Sequence, residues 1–308
     1  MINGIINVYK EAGFTSHDVV AKLRGILRMK KIGHTGTLDP DAVGVLPVCL
    51  GKATKLCDML TDKDKTYEAV LKLGMTTDTE DTSGTVLTTK EVTSTKEEIE
   101  QVILSFVGDY DQIPPMYSAL KVNGRKLCDL AREGIVIERK ARRIKIHDIT
   151  IKEINMEDHE VTMSVSCSKG TYIRTLCYDI GEKLGCGGCM KHLTRTKVSR
   201  FDIADSFTLS EIEALRDEGK LSEHIVPIEE MFAEYDALIV KEECNILITN
   251  GNILHADHIE KRIPSTIADE KDHDHKLRVY DYANNFMGVY SEEPDGRFKP
   301  LKMFHRQE

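Results

Sequence analysis

The sequence has no tryptophan, and its ten tyrosines and eight phenylalanines make up only 6% of 308 residues. Any stacking surface for a ligand ring must therefore come from tyrosine or phenylalanine. No stretch approaches the ~18 consecutive apolar residues of a membrane-spanning helix, so no membrane association is expected. The first ten residues lack a basic stretch followed by a long apolar core, and no secretory leader is expected. Eight cysteines in such a chain read as reduced thiols of a cytoplasmic protein, not as a disulfide framework. Cofactor signatures are missing as well. Cys186-Gly-Gly-Cys189 is a single CxxC with no second pair at finger spacing, whereas a closed zinc site needs four ligands. The segment from Gly44 to Ala53 lacks P-loop spacing, and neither a dinucleotide fingerprint nor a Ser-His-Asp order is present. No metal and no cofactor are expected.

What is present is a charged globular composition, 41% hydrophobic and 30% charged, long enough for about two domains. The net charge of −9 is unevenly spread. Residues 1–200 hold 30 basic and 27 acidic side chains, and residues 201–308 hold 12 and 24. Within the first part, residues 121–145 carry Lys121, Arg125, Lys126, Arg132, Arg139, Lys140, Arg142, Arg143 and Lys145 against three acids, a net of +6. A cationic segment of this kind can neutralise several phosphates and release their counterions. Residues 22–31 and 186–200, the latter with Lys191, Arg195, Lys197 and Arg200, are smaller acid-free patches that read as part of the same nucleic-acid-facing charge.

Periodicity outlines the elements. Ser16 precedes a helical apolar stripe of Val19, Val20, Leu23, Ile26 and Leu27 and is its expected N-cap. Tyr67, Ala69, Leu71 and Leu73 alternate with Thr66, Glu68, Val70 and Lys72, which predicts a strand with Tyr67 on its inward face. Val161, Met163, Val165 and Cys167 predict a second. Thr95–Glu98 and Thr208–Glu211 are capping boxes that open helices. Beyond residue 232 short strands and turns take over, with Asn284-Asn285 placed as a hairpin turn. We expect a boundary there, with one domain over 1–232 and a small β-rich domain over 233–308.

Between the first helix and these strands, residues 31–51 hold four glycines and two prolines. Gly33-His-Thr-Gly-Thr-Leu-Asp39-Pro40 sets one carboxylate in this loop, and the proline biases Asp39 toward an extended backbone. Two readings follow: a carboxylate presented into a cleft, or an Asx-turn aspartate satisfying its own loop.

Taken together, several ordered motifs identify a resemblance. Gly33 to Pro47, Lys65-Thr-Tyr-Glu68, Thr79-Glu-Asp-Thr-Ser-Gly84, Ile113-Pro-Pro-Met-Tyr-Ser-Ala-Leu-Lys121, Gly170-Thr-Tyr-Ile-Arg-Thr-Leu176 and Leu193-Thr-Arg195 resemble the bacterial tRNA pseudouridine-55 synthases, the TruB family. Lys10-Glu-Ala-Gly-Phe-Thr-Ser16 is similar to that family's N-terminal motif, with Glu11 where proline is usual, and Thr37 stands where alanine is common. The resemblance implies an α+β pseudouridine synthase fold, a mixed and largely antiparallel sheet with flanking helices, followed by a PUA-like C-terminal domain. It implies that Asp39 is the catalytic aspartate, that Tyr67 is the active-site tyrosine against the target base, and that Arg174 is the arginine paired with the aspartate. It also implies substrate-binding places for His34, Leu193 and Lys10. Residues 120–145, with Arg142 and Arg143, correspond to a tRNA-gripping arm. The implied partner is the T-stem-loop of tRNA, recognised by a monomer without guide RNA.

Isomerising uridine to pseudouridine breaks the N1–C1′ bond, turns the uracil and joins C5 to C1′. No group donor is consumed, in keeping with the missing cofactor motifs. Asp39 must be ionised, and an arginine fork would hold its carboxyl below the ordinary value. The sequence leaves open whether Asp39 attacks the sugar or takes its 2′ proton. It also leaves open a non-catalytic tRNA-binding role and a guide-RNA-dependent synthase.

Overall fold

The alternation at Tyr67, Ala69, Leu71 and Leu73 lies at the centre of the largest sheet. The computed structural model describes residues 2–266 and 275–304. β1 (Gly4–Lys10) leads to α1 (Ser16–Leu27), β2 (Ile32–His34) and β3 (Val43–Leu50), with the glycine-rich segment 35–42 between the last two. After the short α2 (Cys57–Thr61), β4 (Lys65–Leu73) runs through the sheet, and β5 (Met75–Thr77) pairs with β6 (Val86–Thr89) as a separate ribbon. α3 (Lys96–Leu104) and β7 (Gly108–Gln112) precede the basic arm, a tiny hairpin of β8 (Lys121–Val122) and β9 (Arg125–Lys126) followed by α4 (Leu127–Arg132). The long β10 (Arg142–Asn155), β11 (Glu160–Cys167), α5 (Ile173–Leu184), β12 (Gly188–Val198), β13 (Phe201–Asp202) and α6 (Leu209–Asp217) complete this part.

The sheet order is β1-β3-β12-β4-β11-β10-β7, with β2 on β3 and β13 on β12. Its pairings are antiparallel except β12 with β3, which run parallel through Thr194–Val43 and Arg195–Gly44. The expected α+β class with a mixed, largely antiparallel sheet is the observed one. One helical layer, α3 and α5, buries Ile99, Ile103, Leu176 and Ile180 against Ala69, Leu71, Met163 and Val165. A second core puts α1 and α6 on β1 and β3 through Val19, Leu23, Ile212, Ile6 and Leu46. Removing this apolar surface from water is the main drive for docking the helices, worth ~1.5–3 kcal/mol per fully buried large aliphatic side chain.

The two capping boxes form as read, with Thr95 and Glu98, and Thr208 and Glu211, exchanging bonds with each other's backbone. The start of α1 differs by one residue. Thr15 is the N-cap, paired reciprocally with Asp18, and Ser16 is the first helical residue. The reason lies in tertiary structure: Ser16 is buried, and its Oγ accepts from the backbone N–H of Leu38 at 2.9 Å.

The second sheet has the order β15-β14-β16-β17-β18, from β14 (Asp236–Val240), β15 (Ile259–Ile263), β16 (Lys276–Tyr280), β17 (Phe286–Glu292) and β18 (Phe298–Met303), with α7 (Asn245–Thr249) beside it. β16 and β17 form the hairpin expected at Asn284-Asn285, where Asn284 takes φ 62°. This β-rich part has its own core around Leu238, Val279, Met287 and Tyr290. It also shares one with the first part, where Phe232, Phe286 and Phe304 stack over Ile5, Val45 and Cys49. Among the described residues no helix is long and apolar enough to cross a membrane.

Gly44 sits where β3 and β12 approach most closely. It takes φ +103°, and a Cβ there would stand 2.3 Å from the Arg195 carbonyl oxygen. Only glycine tolerates both conditions. Gly44→Ala is expected to lower stability by about 1–3 kcal/mol or more, read as a lower urea midpoint. A midpoint equal to that of the parent chain would refute this account of the crossing.

Candidate active site

The segment 35–42 bends away from the sheet and so lacks ladder partners for its own carbonyls. Three cations surround it, and two of them supply those partners. Lys10, at the end of β1, donates from Nζ to the carbonyls of Ala42 at 2.7 Å, Pro40 at 2.9 Å and Glu11 at 3.1 Å. Arg195, on β12, donates from Nε to Val45 O at 2.7 Å and reaches Gly36 O at 3.3 Å and Thr37 O at 3.4 Å. Thr35 and Ser16 add bonds at either side, Thr35 to Pro47 O and Ser16 from Leu38 N. The loop is thereby fixed on backbone atoms, which leaves the Asp39 carboxylate free to point elsewhere.

That carboxylate goes to the third cation. Arg174, near the start of α5, sets Nε 3.0 Å from Asp39 Oδ2 and Nη2 3.3 Å from Oδ1, a two-pronged contact. Of the two readings left open by the sequence, the geometry is that of a carboxylate presented outward. Asp39 binds its own loop through its backbone carbonyl, at Ala42 N. The other donors of Arg174 bind Thr79 O at 3.1 Å and Tyr117 O at 2.7 Å, with Asp81 3.8 Å away. A planar five-donor fork can serve an aspartate and two loops at once, which a lysine ammonium cannot. Arg174 is almost fully covered, whereas the Asp39 side chain remains 41% accessible.

The expectation that Arg174 holds the Asp39 carboxyl below its ordinary value is corrected. The surrounding protein removes solvent from the carboxylate and raises its pKa, and this outweighs the opposing pull of Arg174; Asp81 adds a further upward push. Asp39 is thus tuned toward a proton while still paired with a cation.

Tyr67 lies one strand away. It is 8% exposed, shares a core with Leu38 and Leu193, and hydrogen-bonds through its hydroxyl to Arg195. Burial raises its pKa, and Arg195 opposes the rise. The Asp39 charge acts on the Tyr67 hydroxyl, and Leu193, on β12, is buried in the same hydrophobic cluster as Tyr67. His34 stands at the root of the loop, edge-on to His17 with ring centroids 5.3 Å apart. Burial, then the neighbouring His17, lowers its pKa and keeps the ring neutral at neutral pH.

Lys10 is a second correction. Read as substrate-binding, it is 0% exposed with its ammonium against three carbonyls, so it holds the Asp39 loop and offers no surface to a ligand. Burial lowers its pKa to about 8. Arg195 is a third: counted among the charges facing a polyanion, it is 1% exposed and belongs to the interior.

The arm at 121–145 is a small folded unit. Met116, Leu127 and Leu130 form its core, with Leu120, Ala131 and Ile137 packed around them. Several of its charges are locally paired, Arg125 with Glu133 and Arg132 with Asp129. Arg143 grips Asp111 with two bonds of 2.6 and 2.7 Å across the β10–β7 edge, so its charge is partly cancelled. Arg142 is exposed, and its charge acts on the Tyr172 hydroxyl at the start of α5. Thr79, Asp81, Tyr117 and Arg195 carry roles that the motifs marked only as positions, because hydrogen bonds to backbone carbonyls leave no trace in residue type.

These surroundings give a direct test. The Asp39 carboxyl should titrate above the ordinary 3.8 and move higher still in Arg174→Gln, where the largest downward influence is gone. Carboxyl-carbon NMR titration, assigned by comparison with Asp39→Asn, reads both; a downward move on losing Arg174 would contradict the electrostatics described.

Comparison with known proteins identifies the family. Residues 24–173 match the N-terminal domain model of the TruB family of pseudouridylate synthases, and residues 174–233 match the tRNA pseudouridylate synthase B C-terminal domain. The tRNA pseudouridine synthase B of Lachnoclostridium phytofermentans is 54% identical, covering 98% of this chain and all of that protein. That of Clostridium kluyveri is 45% identical over 98% of this chain and all of its own length. Among solved structures, a Cbf5-Nop10-Gar1 complex aligns with a TM-score of 0.72 at 27% identity, covering 98% of this chain and 84% of that one. An H/ACA RNP bound to a substrate RNA shares the fold at a TM-score of 0.71 and 24% identity. With one family's models spanning residues 24–233, and near full-length relatives at up to 54% identity, this chain belongs to the TruB family of pseudouridylate synthases.

Proposed function

We propose that this chain is a stand-alone tRNA pseudouridine synthase that isomerises uridine 55 in the T-loop. The observation that carries the reading is the Asp39–Arg174 pair at the mouth of a loop fixed by Lys10 and Arg195. It is supported by relatives named tRNA pseudouridine synthase B across nearly their whole length.

The target uridine is extruded from the RNA, at a cost of a few kcal/mol in lost stacking. Contact with Tyr67 and Leu193 returns part of this, since stacking on an aromatic ring is worth ~1–3 kcal/mol per base. In this reading the neutral His34 ring fills the gap left in the RNA. Asp39 acts in its ionised form at the ribose, as nucleophile at C1′ or as base toward the 2′ hydrogen. In either case the N1–C1′ bond breaks, the uracil turns within the site, C5 joins C1′, and the proton lost from C5 is balanced by one gained at N1. Arg174 keeps Asp39 aimed, and the raised carboxyl pKa makes that group a better acceptor of bonds and protons than a free aspartate.

The arm grips the T-stem through its unpaired charges, and residues 233–308 form a PUA-like domain on the flank. Activity on tRNA without a guide RNA would mark the stand-alone form, which the folded arm at 121–145 favours. A tRNA-folding role would use the same surface. The protein is proposed to act as a monomer in the cytoplasm.

Incubation with an unmodified tRNA transcript, followed by carbodiimide mapping, should give one pseudouridine in the T-loop, and Asp39→Asn should give none. Full product from Asp39→Asn would remove the catalytic reading. For binding, Arg142→Glu should weaken tRNA affinity more than Arg143→Glu, because Arg143 is already engaged by Asp111. Every phosphate that a variant no longer neutralises should flatten the slope of log affinity against log salt by about 0.7–0.9. Equal weakening by the two variants in filter-binding titrations would show that the Asp111 pair does not persist on RNA.

A further inference from the structure

Arg174 is aimed by its neighbours, and one of them has no assigned task. Glu80 lies between Thr79, whose carbonyl accepts from Arg174, and Asp81, which stands 3.8 Å from the same guanidinium. Its own carboxylate turns to the adjacent helix position: Thr175 Oγ1 donates to Glu80 Oε2 at 2.6 Å. Thr175 is 3% exposed, so this bond is an internal one. Three consecutive residues of the turn, 79–81, therefore clamp two consecutive residues of α5, 174 and 175. The turn is itself tied to β12, where Met190 N donates to Glu80 O at 3.0 Å and Thr82 N donates to Met190 O at 2.9 Å.

Glu80 holds this place at φ 62°, a left-handed conformation that L side chains rarely adopt. Burial raises its pKa; Thr175, Arg174 and Arg139 oppose the rise, and Asp179 adds to it. Arg139 comes from the stretch that follows the arm helix, and among the described residues its buried Nε has no hydrogen-bond partner. A glutamate in an uncommon backbone conformation, short of solvent, is retained where the surroundings over-determine it, and such positions cluster at functional sites.

We propose that Glu80 is a positioning residue for the Asp39–Arg174 pair, holding the first turn of α5 through Thr175 so that the arginine meets the aspartate with both prongs. This rests on the function proposed above. In this role Glu80 touches neither Asp39 nor the substrate; it sets the angle at which Arg174 leaves its helix.

The test uses the full chain with an unmodified tRNA transcript. Glu80→Ala and the nearly isosteric Thr175→Val should each lower kcat about tenfold, in line with the steep cost of small misplacements near the chemistry. KM and tRNA affinity should stay within about twofold, because positioning acts on the bound complex. The double variant should be no slower than either single one, the signature of a shared interaction, and Thr175→Ser, which keeps the hydroxyl, should retain the parent kcat. A parent-like kcat in either folded variant, multiplying losses in the double variant, or a matching rise in KM would overturn the proposal. Thermal melts show which variants are folded, and Thr175→Val carries the test if Glu80→Ala is not. Asp39→Asn is assayed alongside. An inactive Asp39→Asn with a fully active Glu80→Ala overturns only the positioning role, whereas an active Asp39→Asn overturns the function on which it rests.

Discussion

A guanidinium buried without a carboxylate is the constraint around which this site is arranged. Arg195 is 1% exposed, and among the described residues no acid pairs with it; its donors go to the Tyr67 hydroxyl and to the carbonyls of Gly36, Thr37 and Val45. Burying an isolated charge is expensive unless every donor is satisfied. The loop before β3 therefore has to keep the path that delivers those carbonyls, and that path puts Asp39 opposite Arg174. Gly44 belongs to the same requirement, since it lets β3 pass close enough to the Arg195 backbone.

The division of labour among the three cations follows from their shapes. Lys10, a compact charge with three donors, suits the cluster of carbonyls at 11, 40 and 42. Arg195 spans a longer stretch, from Gly36 to Val45, and touches Tyr67 as well. Arg174 alone of the three meets a carboxylate, and its remaining donors draw in the turn at Thr79 and the loop at Tyr117. Lys10 and Arg195 hold the Asp39 loop on its backbone atoms from two sides.

Much of this is legible in the sequence, and the exceptions have physical causes. The strand around Tyr67, both capping boxes and the hairpin at Asn284-Asn285 follow from local rules that tertiary structure does not override. The N-cap of α1 shifts to Thr15 because Ser16 is recruited by Leu38, a partner 22 residues away. Asp39 and Arg174 are 135 residues apart, and no periodicity joins them; only the ordered motifs do. Lys10 and Arg195 mislead because a charge count treats every basic residue as solvent-facing. The correcting signal is strand parity. Lys10 stands at the parity of the buried Ile6 and Val8, and Arg195 stands two places from Leu193, on its inward side. The pKa of Asp39 does not follow from its partner alone, since the amount of solvent removed is a property of the folded surroundings.

The core shared by the two sheets changes how the end of the chain should be regarded. Phe304 and Val289 cover the side of β3 that carries Val45 and Cys49, while Lys55, beside that strand, donates to Met303 O. β3 is the strand that emerges from the Asp39 loop. A protein cut near residue 232 would leave the back of that strand wet, so lost catalysis in such a truncation would report a melted foundation before it reported anything about RNA recognition. The acidic C-terminal part, which by charge alone reads as a separate appendage, is on this view half of the masonry behind the aspartate, and the two parts are expected to unfold in a single cooperative step.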